Sequence, residues 1–490
     1  MKKITLASFC LFLFVLISCS NNDTNETIDK TVTDDINYFI WKGMNAYYFW
    51  QENIPTLADD RFSTFEELYT YFKKFSSPEA SFNSLLNQPG TIDRFSWIVN
   101  DYVALENSFQ GINISNGMEF GLVRNKEVTT NIFGYVRYVI PNSDAAQKGV
   151  TRGMIFNAIN GTQLTDTNYT SLLFGSNTNY TVNFADYNNG NPTANSQSIS
   201  LTKSQIQENP VAISKVITEG NKKIGYLLYN QFASSYDAKL NAAFGNFKAE
   251  NISDLIIDLR YNGGGSVNSA TYLGAMVTGQ FTGQLYSKEI WNKKILAAVS
   301  ADNFINNFTN EIRNTDQNET VILQETINSL GLTSVYFIVS GSSASASELV
   351  INALSAYIDV QLVGTKTVGK QVGSVTLYDS DNLSRNGDNL NPNHTYAIQP
   401  ITFEITNKDN KNHPEGFIPG STLPGILIAE DFGNLGILGE ITEPLLNRTL
   451  TYISTGAKGS FFNKNIDEYK EFFNSKLATP ATNNMYVGIK

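Results

Sequence analysis

Between about residue 215 and residue 363, short apolar runs alternate with helical stretches. This alternation restricts the fold more than any other feature of the chain. Ile224 to Tyr229 reads as a strand, Tyr236 to Phe247 as a helix and Leu255 to Leu259 as a second strand. Val335 to Val339 is another strand, Leu349 to Tyr357 a helix, and Val360 to Val363 a strand again. Strands that alternate with helices imply a mostly parallel sheet. Catalytic loops in such sheets lie beyond the carboxyl ends of the strands. Two loops here follow strands: Asp258-Leu259-Arg260-Tyr261-Asn262-Gly263-Gly264-Gly265 and Gly341-Ser342-Ser343-Ala344-Ser345-Ala346-Ser347-Glu348. They are therefore able to converge.

The loops carry the ingredients of acyl transfer. A hydroxyl is a poor nucleophile until an adjacent base takes its proton. Lys370 follows Ser345 by 25 positions, between Val368-Gly369 and Gln371-Val372-Gly373. Small and apolar flanks suit a desolvated amine whose neutral form accepts a proton. Each residue also has a plainer reading. Ser345-Ala346-Ser347-Glu348 fits a capping box in which the serine only caps a helix. Lys370 fits a solvated surface lysine, and the three glycines fit a tight turn. If Ser342 or Ser343 caps the helix, Ser345 falls in its first turn, where the helix N-terminus favours a developing oxyanion. The two histidines, His394 and His413, lie in polar, Asn-rich surroundings, which suit surface positions.

The rest of the chain is more varied. At 490 residues it is long enough for about three domains and a large core. A net charge of −11 argues against nucleic acid as the main partner, since phosphate binding needs clustered Lys and Arg. From about 33 to 105, Ile36, Phe39, Ile40, Met44, Tyr47 and Tyr48 recur at helical spacing, as do Phe65, Leu68, Tyr69, Phe72 and Phe75. The tail from about 456 is polar and aromatic, with a helix expected over Ile466 to Leu477. No CxxC, HExxH or acidic metal cluster appears, so no cofactor or metal is expected.

The N-terminus reads as a processing signal. Met1-Lys2-Lys3 is a basic region and Ala7 to Ile17 an apolar one, too short to span a membrane as an ordinary helix. Leu16-Ile17-Ser18-Cys19 resembles a bacterial lipobox, which implies cleavage before Cys19 and lipidation of that cysteine. The alternative is an ordinary secretory signal with an incidental cysteine. The polar run from Ser20 to Lys30 then reads as a tether. The expected location is the cell envelope outside the cytoplasm, on the periplasmic face or outer membrane, with the lipid as the membrane contact.

Two resemblances sharpen these readings. Pro141-Asn142-Ser143-Asp144-Ala145-Ala146-Gln147-Lys148-Gly149-Val150 leads into Arg152-Gly153-Met154-Ile155-Phe156-Asn157-Ala158-Ile159-Asn160-Gly161. This order resembles a PDZ domain, with Met154 where an Asp is usual. Gly117-Met118-Glu119-Phe120-Gly121-Leu122 then falls where such domains bind a peptide C-terminus, which implies peptide contacts at Gly117, Phe120 and Gly121. The Gly-rich loop, the Ser-Ala-Ser-Ala-Ser-Glu segment and the Gly369-Lys370 pair resemble, in order and spacing, the carboxyl-terminal processing peptidases, or tail-specific proteases. That resemblance implies a nucleophile at Ser345, a base at Lys370, and an oxyanion hole from the amides of Gly264 and Ala346. It also implies a residue that orients the lysine four positions later. Ser374 stands where the family usually has Gln, and either its hydroxyl or Gln371 is left to substitute. Asp258 and Arg260 are expected to fix the glycine loop through hydrogen bonds.

The expected fold is mixed α/β and multidomain, with a βαβ catalytic core of the ClpP/crotonase-like type. The expected divisions are a lipoprotein signal peptide (1–18), a tether (19–32), a helical region (33–105), a PDZ-like domain (106–205), a serine peptidase domain (206–455) and a tail (456–490). The expected partner is a protein or peptide substrate. A catalytically degenerate peptide-binding lipoprotein remains the alternative, and so does an acyl hydrolase that pairs His413 with Ser345.

Overall fold

The computed structural model describes residues 31–316, 318–457, 470–479 and 481–488. The signal segment and Cys19 lie outside the described residues.

Helix α1 (Val32–Tyr47) starts with a capping box: Thr31 accepts from the Asp34 amide, and the Asp34 carboxylate accepts from the Thr31 amide at 3.1 Å. Its positions Ile36, Phe39, Ile40 and Met44 lie on one face and are buried. Helix α2 (Phe65–Phe72), capped by Thr64, adds Leu68 and Phe72 to the same core. The expected helical run to 105 is interrupted by a strand, Trp97–Val99, which pairs antiparallel with Ala397–Gln399. Trp97, Ile98 and Val99 are aromatic and β-branched residues that suit a strand.

An antiparallel sheet follows, built from β1 (Met118–Arg124), β2 (Ile132–Val139), β3 (Ile155–Ile159), β4 (Asn179–Asp186) and β5 (Thr193–Thr202). After β3 the chain turns at Asn160 and Gly161, with φ of 51° and 77°. Both angles are positive, as a two-residue hairpin turn of this hand needs. Phe120, Leu122, Val136, Phe156 and Val182 form a core of this sheet's own.

The alternation after 215 folds as its pattern implies. Strand β6 (Val211–Glu219) pairs antiparallel with β7 (Lys222–Tyr229). From β7 onward, β8 (Asp254–Asp258), β9 (Ser334–Val339), β10 (Asp359–Gly364) and β11 (Gly425–Leu427) run parallel. Helix α3 (Asp237–Ala249) connects β7 to β8, α4 (Val267–Val277) follows the glycine loop, and α5 (Ala346–Ser355) connects β9 to β10. Phe337 faces the larger core and its neighbour Ile338 a second core on the opposite side. Burial on both faces is why β9 reads as an unbroken apolar run. Full burial of each such side chain contributes about 1.5–3 kcal/mol.

The tail corrects one expectation. Residues 466–469 of the expected helix lie outside the described ones, but its remainder is not an α-helix. Strand β12 (Glu471–Asn474) is followed by a 3-10 turn, Ser475–Ala478, and then by β13 (Met485–Tyr486). Strand β12 extends the antiparallel sheet at its β1 edge. Strand β13 lies in another sheet, between Gly265–Ser266 and Val372–Ser374, parallel to both. Unpaired sheet edges attract such strands, and aromatic residues such as Phe472 and Phe473 suit them.

Candidate active site

Both loops leave the carboxyl ends of adjacent parallel strands, and hydrogen bonds join them. The Ser343 hydroxyl donates to the Leu259 carbonyl at 2.8 Å, and the Ser347 hydroxyl to the Asn262 carbonyl at 3.0 Å. The Ser340 hydroxyl donates to the Arg260 carbonyl. Ser347 thus helps hold the loops together, while Ser345 is left for another task.

Ser345 stands at the N-cap of α5 with φ 60° and ψ −116°. Such a backbone costs a non-glycine residue about 1–3 kcal/mol and is held only by its surroundings. Glu348 supplies part of that hold. Its carboxylate accepts from the Ser345 amide at 3.0 Å, the Lys370 amide at 2.8 Å, the Gly369 amide at 2.7 Å and the Thr367 hydroxyl at 2.5 Å. One buried carboxylate therefore joins the Ser345 loop to the Lys370 loop. Burial pushes its carboxyl up, against the four hydrogen bonds that favour the anion. The sequence marked Glu348 only as a capping residue.

The Ser345 hydroxyl lies 3.3 Å from the Asn483 carbonyl oxygen, and Lys370 Nζ lies 2.5 Å from the same oxygen. Ser345 is 0 % and Lys370 1 % exposed. Burial pushes the Lys370 ammonium down to about 7, and the charges of Asp93 and Glu348 offset this only in part. The Phe95 ring lies 5.0 Å from Nζ, and the Arg94 guanidinium donates to the Val368 carbonyl at 3.2 Å. The helical region therefore furnishes one wall of the lysine site. Nothing in the local sequence around Lys370 pointed to Asp93 or Phe95.

The glycines fit a close approach. Gly264 has φ 113°, and a Cβ added there would meet the Ser345 Cβ at 2.5 Å. The Gly264 amide donates to Asn262 Oδ1 at 2.9 Å. Ala346 is buried in the first turn of α5. Asp258 and Arg260 do fix the loop: Arg260 donates to Asp258 at 2.7 Å and to Glu443 at 2.6 Å and 3.0 Å, and Tyr226 donates to Asp258 at 2.8 Å.

Ser374 lies apart from the role suggested for it. Its hydroxyl bonds Asn484 Oδ1 at 3.0 Å and accepts from Gln399 Nε2 at 3.0 Å. A glutamine carboxamide thus reaches position 374 from a neighbouring strand, which the sequence could not indicate. The histidines have other partners: His394 Nε2 lies 3.0 Å from Asp379, and the His413 ring packs 4.3 Å from that of Phe417.

The residues read as a peptide-binding loop meet the chain's own tail. In register, Gly121 faces Asn474. The Phe120 amide donates to Ser475 Oγ at 3.0 Å, and that hydroxyl donates to the Glu119 carboxylate at 2.5 Å. A neutral hydroxyl can sit between an amide and a carboxylate, whereas a terminal carboxylate would be repelled by Glu119. The Gly117 amide is taken by Ser115 Oγ at 3.0 Å.

The family model for peptidase family S41 matches residues 223–390, and that for the peptidase S41 N-terminal domain matches residues 35–97. No curated protein matches the chain. Among solved structures, an S41 protease from Bacteroides fragilis is similar over 86% of this chain and 97% of its own, at 23% identity and a TM-score of 0.63, a likeness of fold. The photosystem II D1 C-terminal processing protease aligns over 86% of this chain and 98% of its own, at 14% identity and a TM-score of 0.48. Two models of peptidase family S41, one for its N-terminal domain and one for the peptidase itself, thus match separate stretches of this chain in the order N-terminal domain, then peptidase.

Proposed function

We propose that this protein is a lipid-anchored serine endopeptidase that hydrolyses peptide bonds in protein tails with a Ser345–Lys370 dyad. The observation that carries this reading is the convergence of the Ser345 hydroxyl and the Lys370 amine on one backbone carbonyl oxygen. A peptide carbonyl is the group on which such a pair acts. Neutral Lys370 takes the Ser345 proton as Oγ adds to the carbonyl carbon. The oxyanion is received by the Ala346 amide, joined by the Gly264 amide once Asn262 releases it. Lys370 passes its proton to the leaving amine, and water activated by the same lysine hydrolyses the acyl-enzyme. An amine held near pH 7 is mostly neutral in a mildly alkaline medium, as a base must be.

The antiparallel sheet, with its PDZ-like order of elements, is the proposed holder of a substrate tail. Its β1 edge accepts an added strand, which supports that role. Cys19 is the proposed lipid attachment site and the cell envelope the proposed location, both on the lipobox-like run.

A fluorophosphonate probe tests the chemistry. Wild type is expected to be labelled and Ser345→Ala to stay unlabelled; equal labelling of the two folded proteins would refute the reading. Mass spectrometry of the mature N-terminus tests the anchor, and an unmodified start elsewhere than Cys19 would remove it.

A further inference from the structure

Asn483 lies over Ser345 and Lys370, and the described tail residues on either side of it pair with strands of two different sheets. At one end, β12 adds antiparallel to β1, with Glu471 opposite Val123 and Asn474 opposite Gly121. Glu471 is anchored there by Arg137, which is 3% exposed, and by the Tyr135 hydroxyl at 2.5 Å. Arg137 also donates to the Ser342 hydroxyl at 2.8 Å, so the tail's anchor reaches the nucleophile loop. At the other end, β13 lies between the glycine-loop strand and the lysine-loop strand. Asn484 and Met485 are 1% and 0% exposed, and the Tyr486 ring stacks on Phe109 at 4.5 Å.

The contact at the dyad blocks more than it reacts. Attack requires the carbonyl carbon to face Oγ and the oxygen to face amide donors. Here the Asn483 oxygen itself faces Oγ and Nζ, and the Gly264 amide is occupied by Asn262. A cleft of about 370 Å³ runs beside this segment, lined among others by Phe120, Gly264, Lys476 and Tyr486. The segment forms one wall of the cleft and leaves the cleft itself free.

We infer that residues 471–479 and 481–487 are an intramolecular inhibitor: they close the active site in cis, and a substrate peptide must displace them. The inference rests on the peptidase reading above. The displacing partner is an extended peptide that can pair with β1 and offer an apolar–aromatic pair in place of Met485 and Tyr486. A tethered occupant acts at about millimolar effective concentration, so weak contacts are enough to hold it. Activity in trans is then lowered by the fraction of molecules that are closed.

The experiment compares the full chain, a chain ending at residue 470, and full-length Glu471→Ala, which loses the ion pair to Arg137 without touching the dyad. Each is assayed for fluorophosphonate labelling and for hydrolysis of fluorescein-labelled casein. Both altered chains are expected to react about tenfold faster or more than wild type. A synthetic peptide of residues 471–488, added in trans, is expected to slow the truncated chain again. If truncation prevents folding, judged by its thermal transition, Glu471→Ala decides alone. Equal rates for wild type and the altered chains would overturn the inference and leave the peptidase reading intact. So would mass spectrometry showing that wild type, but not Ser345→Ala, cuts its own chain after Asn483, because the segment would then be a substrate. Folded chains that neither label nor hydrolyse would instead end the peptidase reading, and this inference with it.

Discussion

Arg260 and Lys370 are both buried basic residues beside the same Ser345 loop, yet their surroundings treat the charge in opposite ways. Burial alone would lower both. Around Arg260 the carboxylates of Asp258, Glu443 and Glu430 reverse that effect and hold the guanidinium well above its ordinary value. Against the upward push of burial, Arg152 and Arg260 together bring Glu430 down to about 2. Lys370 has a carbonyl as its hydrogen-bond partner, and the nearby charges of Asp93 and Glu348 only partly offset desolvation. A saturated charge fixes a loop, whereas an under-compensated amine is ready to give up its proton.

The largest effect expected from this contrast is chemical. Ser345→Ala should cost about a millionfold in turnover while the fold persists, since nothing else supplies the nucleophile. Casein hydrolysis together with a melting curve checks this. Arg260→Met should instead damage the fold, by about 3–5 kcal/mol, because Asp258 would be left buried without a counter-charge. Denaturant unfolding measures it, and an unchanged midpoint would mean that the two cations are equivalent after all.

Lys370→Met should be inactive yet more stable than wild type. The folded value near 7 lies below the unfolded value near 10.4, so the unfolded state binds more protons between those limits. Native stability is therefore reduced in full below pH 7, and the reduction fades as pH rises towards 10. Removing the amine should add on the order of 2–4 kcal/mol at pH 6, with a shrinking advantage at higher pH. Lys370→Arg should also be inactive, because a guanidinium stays protonated. The smallest effect concerns pH. Wild-type kcat/KM should rise with pH through about 7, since only the neutral amine accepts the serine proton. Asp93→Asn should move that midpoint to lower pH by less than about one unit, because it removes a charge that favours the ammonium. A shift to higher pH would contradict the placement of Asp93.

The sequence disclosed the parallel sheet and the two loops for a physical reason. Strands buried on both faces show as apolar runs, and loops that need positive φ or a capped helix show as Gly and Ser clusters. Its reading of Asp258 and Arg260 as loop-fixing residues holds, since Arg260 donates to Asp258 at 2.7 Å. What stayed hidden was everything that depends on distant segments meeting. Asp93 and Phe95 at Lys370, Gln399 at Ser374 and Asn483 at the dyad have no periodicity or motif to announce them. The tail misled for a related reason: Glu471 to Asn474 become a strand only because the β1 edge is there to receive them.

The contact between Arg94 and Val368 joins residues 274 positions apart in the chain. Contacts that close so long a loop are costly to nucleate and tend to form late in folding. Until the N-terminal helices dock, Lys370 faces water, keeps an ordinary lysine affinity for its proton and cannot serve as a base. Formation of a base at Lys370 is thus a readout of completed assembly, and a half-folded chain has none. In a refolding experiment, fluorophosphonate labelling should lag behind the recovery of tryptophan fluorescence; simultaneous recovery would show that the lysine site forms without its upstream wall.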